Sequence, residues 1–197
     1  EHVLIPRQDT EILVEEVLKE LHDGMRVLDM CTGSGCILLS LLHYSNDCEG
    51  LGVDLSAEAL EVAGRNVLKV LTPEKAEHAH FLQSDLFEKV EGKFEIIVSN
   101  PPYIASAEVE KLMPEVRDHE PRMALDGTED GLYFYRRIIE EAGKHLVSSG
   151  MLFFEIGYDQ GQAVSELMRT EGYCDVQVVQ DYAGLDRVVL GTYVERN

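Results

Sequence analysis

Val27-Leu28-Asp29-Met30-Cys31-Thr32-Gly33-Ser34-Gly35 is the stretch that decides how this chain reads. Residues 25–31 have the apolar density of a buried strand. The glycines at 33 and 35 permit a tight turn, and residues 36–43 continue as an apolar helix. Outward from this unit, strand-like and helix-like stretches alternate. Residues 9–21 place Ile12, Leu13, Val17, Leu18 and Leu21 on one helical face. Residues 50–55 predict a second strand, and Ser56 an N-cap for a helix over 57–71. Third and fourth strands are expected at 81–83 and 94–99, a helix over 132–147, a fifth strand at 151–156 and a helix over 160–170. Two last strands, 176–180 and 187–194, are joined by a connection too short for a helical crossover, which predicts an antiparallel hairpin. The pattern predicts an α/β fold: an open, mostly parallel, seven-stranded sheet with helices on both faces and a C-terminal antiparallel hairpin. Ligands of such sheets bind beyond the carboxyl ends of the strands.

The chain has 197 residues, which suits one domain over 1–197. With 45% hydrophobic and 27% charged residues it has globular composition and enough length for a core without disulfides. Lys and Arg number 17 against 37 Asp and Glu, a formal charge of −20. That balance argues against a binder held to nucleic acid by phosphate neutralisation. Cys31, Cys36, Cys48 and Cys174 form no C-x-x-C pair, so buried or half-buried free thiols in a reducing compartment are expected. With no membrane-length apolar run and no signal-peptide pattern, the expected location is the cytoplasm. The first residue is Glu1 rather than Met, as in a fragment of a longer protein.

Four constellations follow strands. After the first strand, Gly33-x-Gly35 is followed by Leu38 where a dinucleotide fingerprint would have its third glycine. The departure disfavours NAD and suits a cofactor without phosphate, such as S-adenosylmethionine; a plain structural turn is the alternative at this point. Asp54 ends the second strand about 20 residues after Gly35, a position from which a carboxylate can accept from both ribose hydroxyls. Ser84-Asp85-Leu86 follows the third strand and would bring Asp85 to an adenine amino group and Leu86 against the ring. Ser99-Asn100-Pro101-Pro102-Tyr103 follows the fourth. Two prolines fix that turn and remove local N–H donors, so the Asn100 side-chain oxygen and the Pro101 carbonyl can each accept a hydrogen from a planar –NH2 group, with the Tyr103 ring to stack on.

This combination resembles the class I S-adenosylmethionine-dependent methyltransferases, of Rossmann-like fold, that modify planar nitrogens. Further segments narrow it: residues 4–11, Glu120-Pro121, residues 124–127, Asp130-Gly131-Leu132, Glu155-Ile156-Gly157 with Gln160, and Asp181 with Gly184 and residues 186–189. Together they resemble the HemK/PrmC family, which methylates the N5 nitrogen of the glutamine in the Gly-Gly-Gln loop of class 1 peptide chain release factors. Carried over residue by residue, the resemblance implies Asn100, Pro101, Pro102 and Tyr103 as catalytic. It implies Arg7, Thr10, Asp29, Cys31, Thr32, Gly33, Ser34, Gly35, Asp54, Leu55, Asp85, Leu86 and Asn100 as surroundings of S-adenosyl-L-methionine. No metal is implied. The implied partner is the release factor, with no direct contact to nucleic acid or membrane, and the implied state is a monomer. The helical N-terminal domain of the family is missing from this chain. Three positions depart from the family pattern: Cys31 and Thr128 stand where Gly is usual, and Gln8 where Pro is.

Other readings carry different expectations. A ribosomal-protein glutamine methyltransferase would use the same chemistry. An adenine-N6 DNA methyltransferase would need a basic duplex-tracking surface and base flipping, against which the charge counts. A non-catalytic binding module would be expected to have a damaged 100–103 turn, which is intact. His78 and His80 share a strand face without a third ligand nearby in sequence. Arg7 could pair with a cofactor carboxylate or with an acid in the irregular, proline-rich segment 100–131. Arg136, Arg137, Glu140 and Glu141 have the i, i+4 spacing of a solvated, salt-bridged helix face.

Overall fold

A computed structural model describes residues 3–195. Its elements run α1 (Thr10–Glu20), β1 (Arg26–Met30), α2 (Cys36–Tyr44), β2 (Glu49–Asp54), α3 (Ala57–Val70), α4 (Pro73–Ala76), β3 (Ala79–Gln83) and β4 (Phe94–Ser99). Three single-turn helices follow, α5 (Ser106–Val109), α6 (Pro114–Arg117) and α7 (Arg122–Leu125). The chain continues with α8 (Tyr133–Ala142), β5 (Leu146–Glu155), α9 (Gly161–Glu171), β6 (Cys174–Gln180) and β7 (Asp186–Thr192). The strands form one seven-stranded sheet in the order β3-β2-β1-β4-β5-β7-β6. The first five are parallel to their neighbours, whereas β7 pairs antiparallel with both β5 and β6. This is the expected α/β sheet with its C-terminal hairpin.

The alternation of side chains along the central strands builds two cores. Leu28, Ile97, Leu152 and Phe154 point to one face, where α8 and α9 supply Tyr135, Ile138, Val164 and Met168. Val27, Ile96, Val98 and Phe153 point to the other, against Leu13 and Val17 of α1 and Leu38 and Leu41 of α2. Strands buried on both faces are near-continuously apolar, which is why they stand out in the sequence. Ser56 caps α3 as expected, its Oγ accepting from the Ala59 N–H at 3.1 Å.

Three local expectations are corrected. The helix over 132–147 stops at Ala142, and Leu146 already belongs to β5, opposite Phe94. A register shift follows, with Ser149 at φ 67°, before Met151 pairs with Ile96. The polar Ser148-Ser149-Gly150 run hides this first half of the strand. The arginines of α8 do not pair along the helix: Arg136 binds Asp130 at 2.9 Å and Arg137 binds Asp85 at 2.9 Å. Cys174 is exposed rather than buried, since it opens the edge strand β6; all four cysteines are free.

Candidate active site

The sheet order reverses between β1 and β4, and the carboxyl ends of β1, β2 and β4 border one cavity. It encloses about 1010 Å³, part of it open to solvent. Met30, Cys31, Thr32, Gly33 and Ser34 line it from the β1 turn, Asp54 and Leu55 from β2, Ser84, Asp85 and Leu86 after β3, and Asn100 and Pro102 after β4. The sequence therefore brings residues from four separate strand ends to one wall. Among the described lining residues there is no Lys or Arg, and the charged groups are the carboxylates of Asp54 and Asp85. Such a wall attracts a cation and repels phosphate.

The β1 turn is held by carboxylates behind and beside it. Asp29 is fully buried; its Oδ2 accepts from the Thr32 hydroxyl at 2.6 Å and from the Leu38 N–H at 3.3 Å, while Oδ1 has no partner. Burial pushes its pKa up to about 7, against the lowering pull of the Thr32 bond. Asp29 thus sits behind the wall and shapes the turn. Leu38, the residue that breaks the dinucleotide fingerprint, supplies one of its N–H donors. Asp54 accepts from the Gly33 N–H at 2.9 Å through Oδ2 and from the Ser56 N–H at 2.9 Å through Oδ1. These bonds fix the carboxylate and leave each oxygen a further lone pair.

The two glycines divide their work. A Cβ on Gly33 would meet only the Cys31 carbonyl, at 4.0 Å, so the space beside it is open for a ligand. Gly35 is not on the cavity wall: its φ of 76° starts α2, and a Cβ there would lie 3.1 Å from that of Ala63 in α3. Cys31 stands at φ 61° and Thr128 at φ 72°, so both residues that replace the family's usual glycine adopt the left-handed backbone that glycine favours. Burial pushes the Cys31 thiol well above its ordinary range, which keeps it protonated.

Asn100 and Pro102 face the cavity; Pro101 and Tyr103 are not part of its wall. Ser99 anchors the start of the turn by donating to the Met30 carbonyl at 2.6 Å. Gln160, at the start of α9, anchors its end by donating to the Tyr103 carbonyl at 3.0 Å. No backbone N–H among the described residues donates to the Pro101 carbonyl. Tyr103 packs against the core beneath the turn, and burial pushes its phenol up to about 12.

Arg7 lies outside this wall, on a neighbouring groove with Glu11, Glu15 and Tyr44. Of its two candidate partners the structure supplies the acid, an ion pair with the nearly buried Glu120. The pair ties the strap before α1 to the segment after β4, and both segments roof the cavity. Thr10 lines both spaces. Sequence reasoning missed the roof: Val3, Leu4 and Pro6 from the strap, Pro121, Met123 and Ala124 around α7, and Phe134 of α8. Residues 4–11, Glu120-Pro121 and 124–127 stand out in the sequence, but nothing in them shows that they close over one cavity. His78 and His80 both turn to Glu49, at 2.7 and 3.4 Å.

Comparison with known proteins places this geometry. The methyltransferase small domain family matches residues 7–116. A methyltransferase from Pyrococcus furiosus superposes with a TM-score of 0.69 at 16% identity, over 98% of this chain and 89% of that one. The fold is that of the class I methyltransferases. A release factor glutamine methyltransferase from Thermodesulfovibrio yellowstonii is 45% identical over 193 residues, which are 95% of this chain and 68% of that protein. The solved structure of a release factor-specific protein-(glutamine-N5) methyltransferase from Alicyclobacillus acidocaldarius is 30% identical, with a TM-score of 0.56 over 97% of this chain and 95% of that one. The chain belongs to the release factor glutamine methyltransferase family, and spans about two thirds of the length of its Thermodesulfovibrio relative.

Proposed function

We propose that this chain is a catalytic domain that transfers a methyl group from S-adenosyl-L-methionine to the side-chain nitrogen of a glutamine, the one in the Gly-Gly-Gln loop of a class 1 release factor. The observation that carries the reading is that Asn100 and Pro102, of the Asn100-Pro101-Pro102-Tyr103 turn, stand on the wall that the Gly33 turn and Asp54 also line.

The wall suits the cofactor. The open space at Gly33 admits it, Asp54 has lone pairs to spare for a ribose diol, and Asp85 with Leu86 offers a carboxylate and an apolar side to a purine. Two carboxylates, with no lining cation among the described residues, favour a sulfonium over a pyrophosphate. The bound cofactor supplies an electrophilic methyl group. A primary amide nitrogen is a weak nucleophile because its lone pair is delocalised into the carbonyl. The Asn100 Oδ1 and the Pro101 carbonyl accept its two hydrogens and aim the nitrogen along the line of displacement. Orientation of this kind contributes several kcal/mol, and acceptors preset around a nitrogen that becomes positive add electrostatic stabilisation. The amide hydrogen turns acidic as the new bond forms, so no strong base is required. Arg7 and Glu120 hold the roof rather than the cofactor. The family relationship supports the release factor as the protein substrate; that this chain acts on it as a monomer in the cytoplasm is part of the proposal.

Methyl transfer from labelled S-adenosylmethionine to purified release factor tests the reading. Label on the native factor and none on a Gln→Ala form of its Gly-Gly-Gln loop is the expected result. Equal labelling of both, or none on either by an enzyme that binds the cofactor, overturns it.

A further inference from the structure

We propose that Glu155 is a positioning residue for Asn100: its buried carboxylate takes an N–H of the Asn100 side chain and so turns Asn100 Oδ1 toward the cavity. The inference rests on the reading of Asn100 as the acceptor for the substrate amide.

Register places the two residues together. β4 and β5 run parallel with Ser99 opposite Phe154, so Asn100 and Glu155 are the next pair along. The Glu155 backbone is pinned, its carbonyl accepting from the buried Tyr135 hydroxyl at 2.9 Å. Its side chain is 2% exposed, and Oε2 has no partner. The cation nearest in kind, Arg187, is engaged elsewhere: its guanidinium binds Asp181 at 3.2 Å, Asp9 at 3.3 Å and the Ile156 carbonyl at 3.3 Å. A buried carboxylate without an ion pair is costly, and such groups concentrate at working sites. The polar side chains of Thr10 and Asn100 lie near enough to lower the pKa of Glu155 against the larger raising effect of burial.

An asparagine amide carries one acceptor oxygen and one NH2 donor group in a single plane, on opposite sides of its Cβ–Cγ axis. An ionised Glu155 only accepts, so it captures the donor side and presents the acceptor side to the cavity. A protonated Glu155 can donate to Oδ1 instead, which would flip the amide and face the substrate –NH2 with more donors. The charge of Glu155 therefore selects the productive face of Asn100. Burial raises its pKa, so the productive form is gained as pH rises through a value above that of an ordinary glutamate. The titratable groups around it are Asp9 before α1, Cys36 of α2, Tyr103 after Asn100, Tyr135 of α8 and Arg187 of β7. Asp9 is the other carboxylate among them.

The test follows the Asn100 side-chain NH2 signals by NMR between about pH 4 and 8, assigned by their loss in Asn100→Ala, in the full chain and its Glu155→Gln and Asp9→Asn forms. The expected result is one titration of these signals in the native chain, retained in Asp9→Asn and absent in Glu155→Gln. In parallel, Glu155→Gln should lower kcat for release factor methylation by about tenfold or more with little change in KM for the cofactor, and should remove the acid limb of kcat. Asn100 signals that ignore pH, or a Glu155→Gln form with native signals and native kcat, overturn the proposal. So does a loss confined to thermal stability. Failure of the native enzyme to methylate the release factor would count against the proposed substrate, while the NMR titration would still decide the contact between Glu155 and Asn100.

Discussion

Gln160 clasps Tyr103. Its Nε2 donates to the Tyr103 carbonyl at 3.0 Å and to the Gly131 carbonyl at 3.3 Å, while its Oε1 accepts from the Gly157 N–H at 2.9 Å. Tyr103 and Gly131 are the points where the segment between β4 and α8 leaves the sheet and returns to it. One side chain thus closes the neck of the roof and ends the 100–103 turn. Gln160→Ala strands two carbonyls, at a cost of about 1–3 kcal/mol. The expected outcome is a lower melting temperature and a kcat reduced more than cofactor affinity, read by thermal unfolding and steady-state kinetics.

If Asn100 Oδ1 is the acceptor for the substrate amide, as proposed, Asn100→Ala removes an interaction made with the substrate and not with the cofactor. Turnover should fall by about 10²-fold with cofactor affinity held within a few-fold. Isothermal titration with the cofactor and initial rates separate the two, and an unchanged turnover would remove Asn100 from the mechanism.

The ion pair between Arg137 and Asp85 engages one carboxylate oxygen of a residue that lines the cavity. Its side chains are 28% and 42% exposed, so the pair contributes about 1 kcal/mol or less. Arg137→Ala should weaken cofactor binding by roughly two- to fivefold at low salt, and by less at 1 M salt.

Thr128 holds φ 72°, where a β-branched side chain is strained by about 1–2 kcal/mol. Its backbone bonds, N–H to Asp126 and C=O from Ser106, do not need the side chain. Thr128→Gly releases the strain but loosens the unfolded chain by about 0.4–1 kcal/mol. The net expectation is a melting temperature higher by about 2–4 °C, measurable by differential scanning calorimetry; a decrease would show that the threonine side chain contributes packing.

Burial pushes the Asp29 carboxyl up to about 7 in the folded chain, from an ordinary aspartate value of about 4 in the unfolded one. Between these values the folded chain binds the extra proton, so Asp29 makes stability fall as pH rises from about 4 to about 7. Asp29→Asn abolishes this linkage. The difference in melting temperature between variant and native chain should therefore move in favour of the variant across that window, and a constant difference would refute the assignment.

Much of this was legible in advance, for a physical reason. β1, β4 and the second half of β5 are largely buried on both faces, so they are predominantly apolar and visible as runs. Asn100 could be read as a site residue because it follows such a run, and Asp54 and Asp85 because they stand at the ends of the less buried strands β2 and β3; parallel topology gathers those ends. What stayed hidden depends on partners far apart in sequence. Nothing local to Arg137 points to Asp85 rather than Glu141, and nothing near Arg7 selects Glu120. Gly35 shows the limit of motif reading: it looks like Gly33 in the sequence, yet its neighbour is Ala63 of another helix. The first half of β5 was lost because Leu146 continues the helical spacing of Ile138, Ile139 and Ala142.

β7 lies between β5 and β6 although it is made after both. Val188 and Val189 within it are fully buried. A ribosome making this chain therefore releases β5 and β6 before the strand that must slide between them. Until residues Asp186–Thr192 emerge, β5 carries an open, apolar edge of the kind that chaperones hold and proteases recognise. A product cut short before Asp186 would leave that edge open, and the sheet closes only when Asp186–Thr192 pairs with both β5 and β6.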